Sequence, residues 1–432
     1  MSQYKAYPAY KDSGVEWIGQ VPEHWKIAQI KRISVLNPKK STLSEEKDSL
    51  CTFLPMEKLR TNAITLDETR PIHEVYDGYS YFCDDDILIA KVTPCFENGN
   101  IAVANGLVNG IGFGSTEINV LRVNGKGHNR FLYYRLQEEQ FRTIAKSEMR
   151  GTGGLKRVPA ELFESFTFGL PDTDEQATIA AALDRETARI DSLIQKKTRF
   201  IELLKEKRQA LITHAVTKGL DPNVKMKDSG VEWIGQVPEH WKVARVKRLA
   251  SLRNERRNDV STDIIYIGLE DVEAGSGQYK PTNGSSRQSE DSTVGIFYEG
   301  DVLYGKLRPY LRKAIISEMA GCCSTEFLVL RAEKTEPRWL QEWLLTPDVT
   351  HQIVSGCEGA KMPRADWWHI GSIEVAYPDQ LEQAQILATL DRETARIDSL
   401  MDKAKQSITL LKERRAAFIT AAVTGQIDLR GK

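Results

Sequence analysis

The strongest constraint on this chain is a segment that it contains twice. Residues 11–26 read KDSGVEWIGQVPEHWK, and residues 227–242 repeat all sixteen letters. Sixteen identities that include two tryptophans exclude coincidence. The offset of 216 residues is far too long for a repeat array, whose units are roughly 20 to 50 residues long. The chain is therefore predicted to be a tandem duplication.

The composition bounds the class of protein. The chain has 432 residues, of which 41% are hydrophobic and 28% charged, and its net charge is −1; this predicts two to four globular domains. No apolar run approaches the roughly 20 residues that span a bilayer, and the N-terminus lacks the layout of a signal peptide. We therefore expect a cytoplasmic protein. Its six cysteines have neither CxxC nor zinc spacing and are expected to be reduced thiols.

A long helix is predicted at the end of each copy. Asp172, with Glu175 three residues later, is typical of a helix start, and apolar residues then recur in a heptad-like pattern to about Thr217, near Gly219. Residues 390–400 repeat residues 183–193, LDRETARIDSL, letter for letter. The predicted seam consists of Leu183, Ile190, Ile194, Ile201, Leu204, Leu211, Leu390, Ile397, Met401, Ile408, Leu411 and Phe418.

The two helices are expected to pack against each other. Their apolar seams match position for position, and a whole domain separates them along the chain, so an antiparallel coiled coil is predicted. The basic residues between the seam positions are interpreted as a solvent-facing or partner-facing surface; they are Lys205, Lys207, Arg208, Lys412, Arg414 and Arg415.

Between the repeated segments the two copies have diverged. Residues 86–94, DILIAKVTP, still correspond to residues 301–309, DVLYGKLRP, and a Ser-Thr-Glu triplet ends at Glu117 and again at Glu326. Local patterns predict strands at residues 27–36, 87–89 and 118–121 and a helical stretch at 131–149. We predict an α/β (α+β) fold with globular domains at residues 1–170 and 221–377 and conserved helices at 171–220 and 378–432.

No motif for catalysis is present. The glycine-rich residues 151–156 are mis-spaced for a phosphate-binding loop, and the Asn-Pro-Pro-aromatic motif of amino-methyltransferases is absent. The seven histidines lack metal-ligand spacing. His24 and His240 lie in the repeated segment, which is interpreted as a packing clamp more readily than as a catalytic site.

Basic residues are concentrated in two stretches of the second copy. Residues 242–257 contain seven cations and one acid, and residues 306–313 interleave four cations with Tyr310. Such stretches bind phosphates or read guanine edges, although a solvated surface is an equally good interpretation of either one alone.

With these segments, the chain resembles the specificity subunit of type I restriction-modification systems. The resemblance rests on the paired GVEWIGQVPEHWK segment, on DVLYGKLRPYL at residues 301–311, and on the Pro-Asp-x-x-Glu-Gln entry into each long helix, and it covers essentially the whole chain. It implies two target recognition domains that each read half of a gapped double-stranded DNA site, and a coiled coil that sets the gap. It also implies two methyltransferase subunits and restriction subunits as partners. S-adenosylmethionine, ATP and Mg²⁺ would be bound by those partners, and no cofactor or metal by this chain.

The family's base-reading residues vary, so the candidates for DNA contact rest on position and charge. They are Lys91, Lys156 and Arg157 in the first domain and Lys306, Arg308, Arg312, Lys361 and Arg364 in the second. For each of them, a solvent-exposed cation without a role in DNA binding is an equally good interpretation.

Two other classes of function remain open. An enzyme with an unrecognised motif would cleave or methylate DNA as the purified chain. A structural adaptor would use the coiled coil for assembly and bind partners without a DNA preference.

Overall fold

The computed structural model describes residues 4–43, 45–152, 154–261, 263–281, 292–357, 359 and 361–431. The chain forms two compact units, and each long helix contributes to both. The first unit comprises Met1–Lys197 and Gln406–Lys432, and the second comprises Thr198–Lys405. The C-terminal residues therefore belong to the same unit as the N-terminus.

The first unit combines β-sheets with helices. Its strands are β1 (Tyr10–Asp12), β2 (Gln20–Pro22), β3 (Lys26–Gln29), β4 (Ser34–Leu36), β5 (Leu50–Leu54), β6 (Leu59–Arg60), β7 (Ala63–Ile64), β8 (Thr69–Pro71), β9 (Ser80–Cys83), β10 (Ile87–Ala90), β11 (Ile101–Val103), β12 (Ile111–Gly114), β13 (Ile118–Val123) and β14 (Thr167–Leu170). Its helices are α1 (Ile72–Val75), α2 (Asn129–Arg135), α3 (Glu139–Ser147), α4 (Ala160–Ser165) and the start of α5 (Thr173–Lys218).

Two four-stranded sheets carry the core of this unit. One has the antiparallel order β11-β10-β13-β4, and the other has the order β8-β5-β12-β9 with a parallel β5–β12 pair. Successive side chains of a strand point to opposite faces. Ile87 and Ile89 accordingly pack with the helices, whereas Leu88 and Ala90 pack with the second sheet. Burial on both faces explains why β10 is apolar throughout.

The second unit repeats this construction. Its strands are β15 (Met226–Asp228), β16 (Gln236–Pro238), β17 (Lys242–Arg245), β18 (Ala250–Leu252), β19 (Arg256–Arg257), β20 (Tyr266–Ile267), β21 (Val294–Phe297), β22 (Val302–Gly305), β23 (Ala314–Ile316), β24 (Gly321–Cys323), β25 (Phe327–Ala332) and β26 (Glu374–Tyr377). It also contains the end of α5, the helices α6 (Pro337–Leu344), α7 (Pro347–Ser355) and α8 (Trp367–Ser372), and the start of α9 (Gln380–Val423).

The two units share their sheet topology and differ at its edges. The order β23-β22-β25-β18 matches β11-β10-β13-β4, and β20-β24-β21 matches β5-β12-β9, including its parallel pair. The extra strand is β8, beside β5, in the first unit and β19, beside β21, in the second. The predicted mixed α/β fold with two long helices is confirmed, and the duplication extends through the diverged regions.

The long helices run antiparallel. In the first unit, Asp191 of α5 forms an ion pair of 3.0 Å with Arg415 of α9, and in the second, Arg208 of α5 forms one of 3.3 Å with Asp398 of α9. Seventeen residues forward along α5 thus correspond to seventeen residues backward along α9. The interpretation of Arg208 and Arg415 as solvent-facing or partner-facing is wrong, because both side chains lie between the helices and are mostly buried.

All twelve predicted seam residues lie on protected faces of the two helices. Leu183, Ile190, Leu204, Leu390, Ile397 and Phe418 are buried, and Ile194, Ile201, Leu211, Met401, Ile408 and Leu411 are half-buried. Other large apolar residues of the helices are exposed, among them Leu203 and Leu410. In the first unit Leu183 and Phe418 share one core, and in the second Leu390 shares a core with Ile212 of α5.

The Pro-Asp-x-x-Glu-Gln motif joins each long helix to the repeated segment. Asp172 caps α5 by accepting the Glu175 N–H at 2.9 Å. The Glu175 carboxylate does not complete a capping box; it accepts the indole N–H of Trp25 at 3.2 Å and contacts the ring of His24 at 2.7 Å. Gln176 accepts the backbone N–H of His128 just before α2. The motif therefore ties the helix, the repeated segment and the start of α2 together.

The second copy of the motif makes the same contacts. Asp379 accepts the Glu382 N–H at 2.9 Å, and the Glu382 carboxylate accepts the Trp241 indole N–H at 3.1 Å and contacts His240 at 2.7 Å. Gln383 accepts the backbone N–H just before α6. The two histidines thus lie in contacts that join the repeated segment to the long helices, the packing arrangement expected from the sequence.

Two sequence-based elements are interrupted. Residues 27–36 form β3 and β4 with a 3₁₀ turn between them, and each strand pairs with a different partner, β14 or β13. Residues 131–149 form α2 and α3, because the Glu138 carboxylate accepts the backbone N–H groups of Gln140 and Phe141 and starts a new helix.

Candidate functional site

Four of the eight predicted DNA-contact residues lie in two matching groups, one in each unit. In the first unit, Lys91 follows β10 and Arg157 precedes α4, and both approach Glu117, which precedes β13. In the second unit, the corresponding residues are Lys306, Arg364 and Glu326. We call each group a Lys-Glu-Arg cluster.

Backbone hydrogen bonds fix the first cluster. The Lys91 N–H donates to the Glu117 carbonyl at 3.0 Å, and the Val158 N–H donates to the Lys91 carbonyl at 2.9 Å. The Glu117 N–H donates to Ser115 Oγ at 3.2 Å, which forms the turn before β13. The three side chains therefore project from a rigid junction of three chain segments.

The second cluster has the same connections. The Lys306 N–H donates to the Glu326 carbonyl at 2.9 Å, and the Ala365 N–H donates to the Lys306 carbonyl at 2.9 Å. The Glu326 N–H donates to Ser324 Oγ at 3.2 Å. The site has thus kept its backbone geometry although the surrounding sequences have diverged.

In both clusters the arginine forms a two-bond ion pair with the glutamate. Arg157 donates to Glu117 at 2.8 and 2.6 Å, and Arg364 donates to Glu326 at 3.2 and 3.3 Å. The arginine side chains are 48% and 53% exposed, so part of each guanidinium still faces solvent. Hydrogen bonds from Arg157 lower the pKa of Glu117, which keeps this pair ionised at neutral pH.

The residues beside the clusters differ between the units. One backbone hydrogen bond is shared: the Thr93 N–H donates to the Lys156 carbonyl at 2.9 Å, and the Arg308 N–H donates to the Pro363 carbonyl at 2.8 Å. The neighbouring cation therefore comes from the segment before α4 in the first unit and from the segment after β22 in the second. Lys156 and Arg308 are both exposed.

The other two candidates lie in different surroundings. Arg312 is half-buried, and its guanidinium donates to the Leu345 carbonyl at 3.4 Å, at the end of α6. Arg308 and Arg312 have φ angles of 52° and 50° and flank a single 3₁₀ turn, a backbone conformation that is uncommon for residues other than glycine. Lys361 is exposed in the segment before Arg364.

Part of the basic stretch at residues 242–257 has a structural role. Arg253 forms a two-bond ion pair with the buried carboxylate of Asp301 and lies 4.6 Å from the ring centre of Tyr298. In the first unit, Arg122 pairs in the same way with Asp86, which corresponds to Asp301. These guanidinium groups stabilise the sheets, and their ion pairs with the aspartates use donors that could otherwise contact DNA.

Glu117 and Glu326 were not identified as site residues from the sequence. DNA phosphates attract cations, so a glutamate is not expected at a DNA site from the sequence alone. The signal was the Ser-Thr-Glu triplet, which both copies retain.

Metal-ligand groups and membrane-spanning helices are both absent from the described residues. No three His, Cys, Asp or Glu side chains of those residues are grouped so that they could hold a metal ion. None of the described helices is long and apolar enough to cross a membrane.

Comparison with known proteins finds that part of the chain is similar to type I restriction specificity proteins. Residues 22–203 match the model of the type I restriction modification DNA specificity domain. The chain is 30% identical over 193 residues to the type I restriction enzyme EcoEI specificity subunit of Escherichia coli, an alignment that covers 44% of this chain and 32% of the relative. It is 34% identical over 180 residues to the EcoAI specificity subunit of the same organism, covering 41% and 30%. The chain thus matches about a third of the length of these relatives.

The fold has a counterpart among solved structures. A chain from a structure described as the basis of complex assembly and conformational transition of the type I R-M system superposes with a TM-score of 0.73. The match covers 94% of this chain and 99% of the other at 15% sequence identity. At that identity the likeness concerns the fold alone.

Proposed function

We propose, from its similarity to the specificity subunits of type I restriction-modification systems, that this chain recognises a two-part DNA sequence and catalyses no reaction itself. Each unit would read one half-site. The recognition domains would span residues 1–170 and 221–377, and the conserved helices 171–220 and 378–432. The chain would act in the cytoplasm, with two methyltransferase subunits and restriction subunits as partners. Those partners would carry S-adenosylmethionine, ATP and Mg²⁺.

The observation that supports this proposal best is the pair of Lys-Glu-Arg clusters. Two rigid junctions present the same pair of cations in both units, a half-buried lysine and an exposed arginine, whereas the neighbouring residues differ. Lysine and arginine side chains that reach solvent from a fixed backbone are suited to phosphates and base edges. Different neighbours on a common scaffold are what two readers of unlike half-sites require.

The proposal can be tested by selecting bound sequences from a random pool of DNA duplexes. The complex of this chain with its cognate methyltransferase subunit is expected to enrich two conserved blocks separated by a fixed gap. The adaptor hypothesis predicts a stable complex that enriches no sequence. The enzyme hypothesis predicts that the purified chain alone cleaves or methylates DNA.

The double variant Lys306→Gln/Arg308→Gln should lose one of the two blocks. Both side chains belong to the second unit, so the block read by the first unit should persist and the complex with the methyltransferase subunit should still form. Lys334→Gln is the matched control, since Lys334 is an exposed cation at the far end of β25. Retention of both blocks by the double variant would contradict the assignment of the second site.

A further inference from the structure

The Lys-Glu-Arg cluster is the same in two units that otherwise differ. The residue types, the backbone hydrogen bonds and the exposure of the arginine are retained in both copies. If the units read different half-sites, as proposed above, identical residues at identical positions cannot encode the difference. The clusters must contact something that both half-sites share, and the phosphate backbone is common to every DNA sequence.

We propose that each Lys-Glu-Arg cluster binds a DNA phosphate region, and that the unshared cation beside it discriminates the bases. That cation is Lys156 in the first unit and Arg308 in the second. The inference rests on the proposed function and assigns separate tasks to residues of the same site.

The chemistry of the clusters suits phosphate. Each has two cations and one anion, and therefore a net charge of +1. The glutamate occupies two of the guanidinium donors and holds the group in one orientation. Because the arginine side chains stay about half exposed, the remaining donors can bind phosphate oxygens. A preorganised arginine loses less conformational entropy on binding than a free one. The nearby lysine adds a point charge from a fixed backbone.

The unshared cations are placed to act on the adjacent bases. The backbone hydrogen bond from Thr93 to Lys156 in the first unit is equivalent to the one from Arg308 to Pro363 in the second. The cation is on the acceptor residue in the first unit and on the donor residue in the second, so it comes from a different one of the two bonded segments. Neither Lys156 nor Arg308 has a side-chain hydrogen bond or ion pair to another residue in the described ranges, and both are exposed. Their donors are therefore available for guanine O6 and N7.

The test separates affinity from base preference. The complex of the full chain with its methyltransferase subunit would be titrated with a duplex carrying the selected sequence and with duplexes in which one or both half-sites are scrambled, over a range of salt concentrations. The paired variants are Lys91→Gln/Arg157→Gln and Lys306→Gln/Arg364→Gln. The single variants are Lys156→Gln and Arg308→Gln. Lys126→Gln and Lys334→Gln, at the far ends of β13 and β25, are the matched controls.

Each paired variant should bind all duplexes roughly 10- to 100-fold more weakly, by the same factor for selected and scrambled DNA. The slope of log K against log salt should fall by roughly 1.8, because two phosphate contacts are lost. Each single variant should lose roughly 5- to 100-fold of the preference for its own half-site and keep the preference for the other.

The outcomes distinguish this inference from the proposed function. If the unaltered complex does not prefer the selected duplex, the proposed function is wrong. If the unaltered complex does prefer the selected duplex, two results would show that the clusters do not bind phosphate. The paired variants would change the base preference at one half-site, or they would keep the same salt dependence as the control variants. If loss of Arg157 or Arg364 impairs folding, the single variants Lys91→Gln and Lys306→Gln test the inference instead. Each should lower the slope of log K against log salt by roughly 0.9.

Discussion

Replacing Glu175 with alanine is expected to lower the free energy of unfolding of the first unit by about 3 to 5 kcal/mol. The side chain is 4% exposed and accepts hydrogen bonds from Tyr7 Oη at 2.7 Å and Trp25 Nε1 at 3.2 Å, beside the ring of His24. Its loss would leave buried donors without an acceptor, which costs more than the bonds themselves contribute. Hydrogen exchange of the amides around β3 and the start of α5 would measure the effect.

The duplication supplies the matched control for this variant. Glu382 makes the equivalent contacts with His240 and Trp241, but its side chain is 28% exposed and has no counterpart of Tyr7 among its described partners. Glu382→Ala should therefore cost only about 1 to 2 kcal/mol, since water can replace the missing acceptor. Burial and the hydrogen bond to Glu175 raise the pKa of Tyr7, so Glu175→Ala should also lower that pKa in a spectroscopic titration. Equal losses of stability in the two variants would contradict this account.

Replacing Glu138 with alanine should cost about 3 to 5 kcal/mol in the same unit. Glu138 and Arg135 are 1% and 2% exposed, and Arg135 Nη1 lies 3.5 Å from Glu138 Oε2. Burial already lowers the pKa of Arg135. Without the carboxylate, a buried guanidinium would lack its counter-ion, and α3 would lose the cap on the backbone N–H groups of Gln140 and Phe141. Denaturant unfolding would measure the loss.

Arg135→Met should cost much less, about 1 to 2 kcal/mol, and Arg135→Met/Glu138→Gln should lie near the unaltered protein. Without Arg135, the carboxylate keeps its two backbone donors, and methionine fills the apolar site beside Phe166 and Phe168. The second unit supports this expectation: Trp343 follows Arg338 by five residues, as Arg135 follows Arg130, and Trp343 is a buried apolar residue. A larger loss for Arg135→Met than for Glu138→Ala would contradict the argument.

The long helices could be predicted closely because their signals are local. A cap at Asp172 and a glycine at position 219 bracket α5, which spans Thr173–Lys218. The matching seams of the two copies indicated their partner, and the ion pairs confirm the antiparallel direction. What a single helix could not reveal is that Arg208 and Arg415 each meet an aspartate of the other helix.

The roles of the acidic residues could not be predicted, because they depend on contacts between distant segments. Glu175 follows the helix cap by three residues, which is the position of a capping box, yet its carboxylate binds residues about 150 positions earlier. Glu117 and Glu326 hold arginines about 40 positions later. The break at Glu138 was missed for a related reason, since a continuous apolar pattern runs through both helices and only the cap separates them.

The candidate DNA site was predicted in part. Lys91, Arg157, Lys306 and Arg364 were selected by charge and position, and the structure brings them together in matching clusters. Their role in DNA contact remains a prediction. Arg312 was selected on the same grounds, but its guanidinium contacts the Leu345 carbonyl, because residues 306–313 form a turn that sends successive cations in different directions.

We propose that this chain confers a two-part DNA specificity. The most direct measurement is a genome-wide map of methylated adenine in cells that express this chain with its cognate methyltransferase subunit, compared with cells that express the methyltransferase subunit alone. We expect a new motif of two blocks with a fixed gap, present only when this chain is expressed. An unchanged methylation map, in cells where the two proteins still form a complex, would contradict the claim and favour the adaptor.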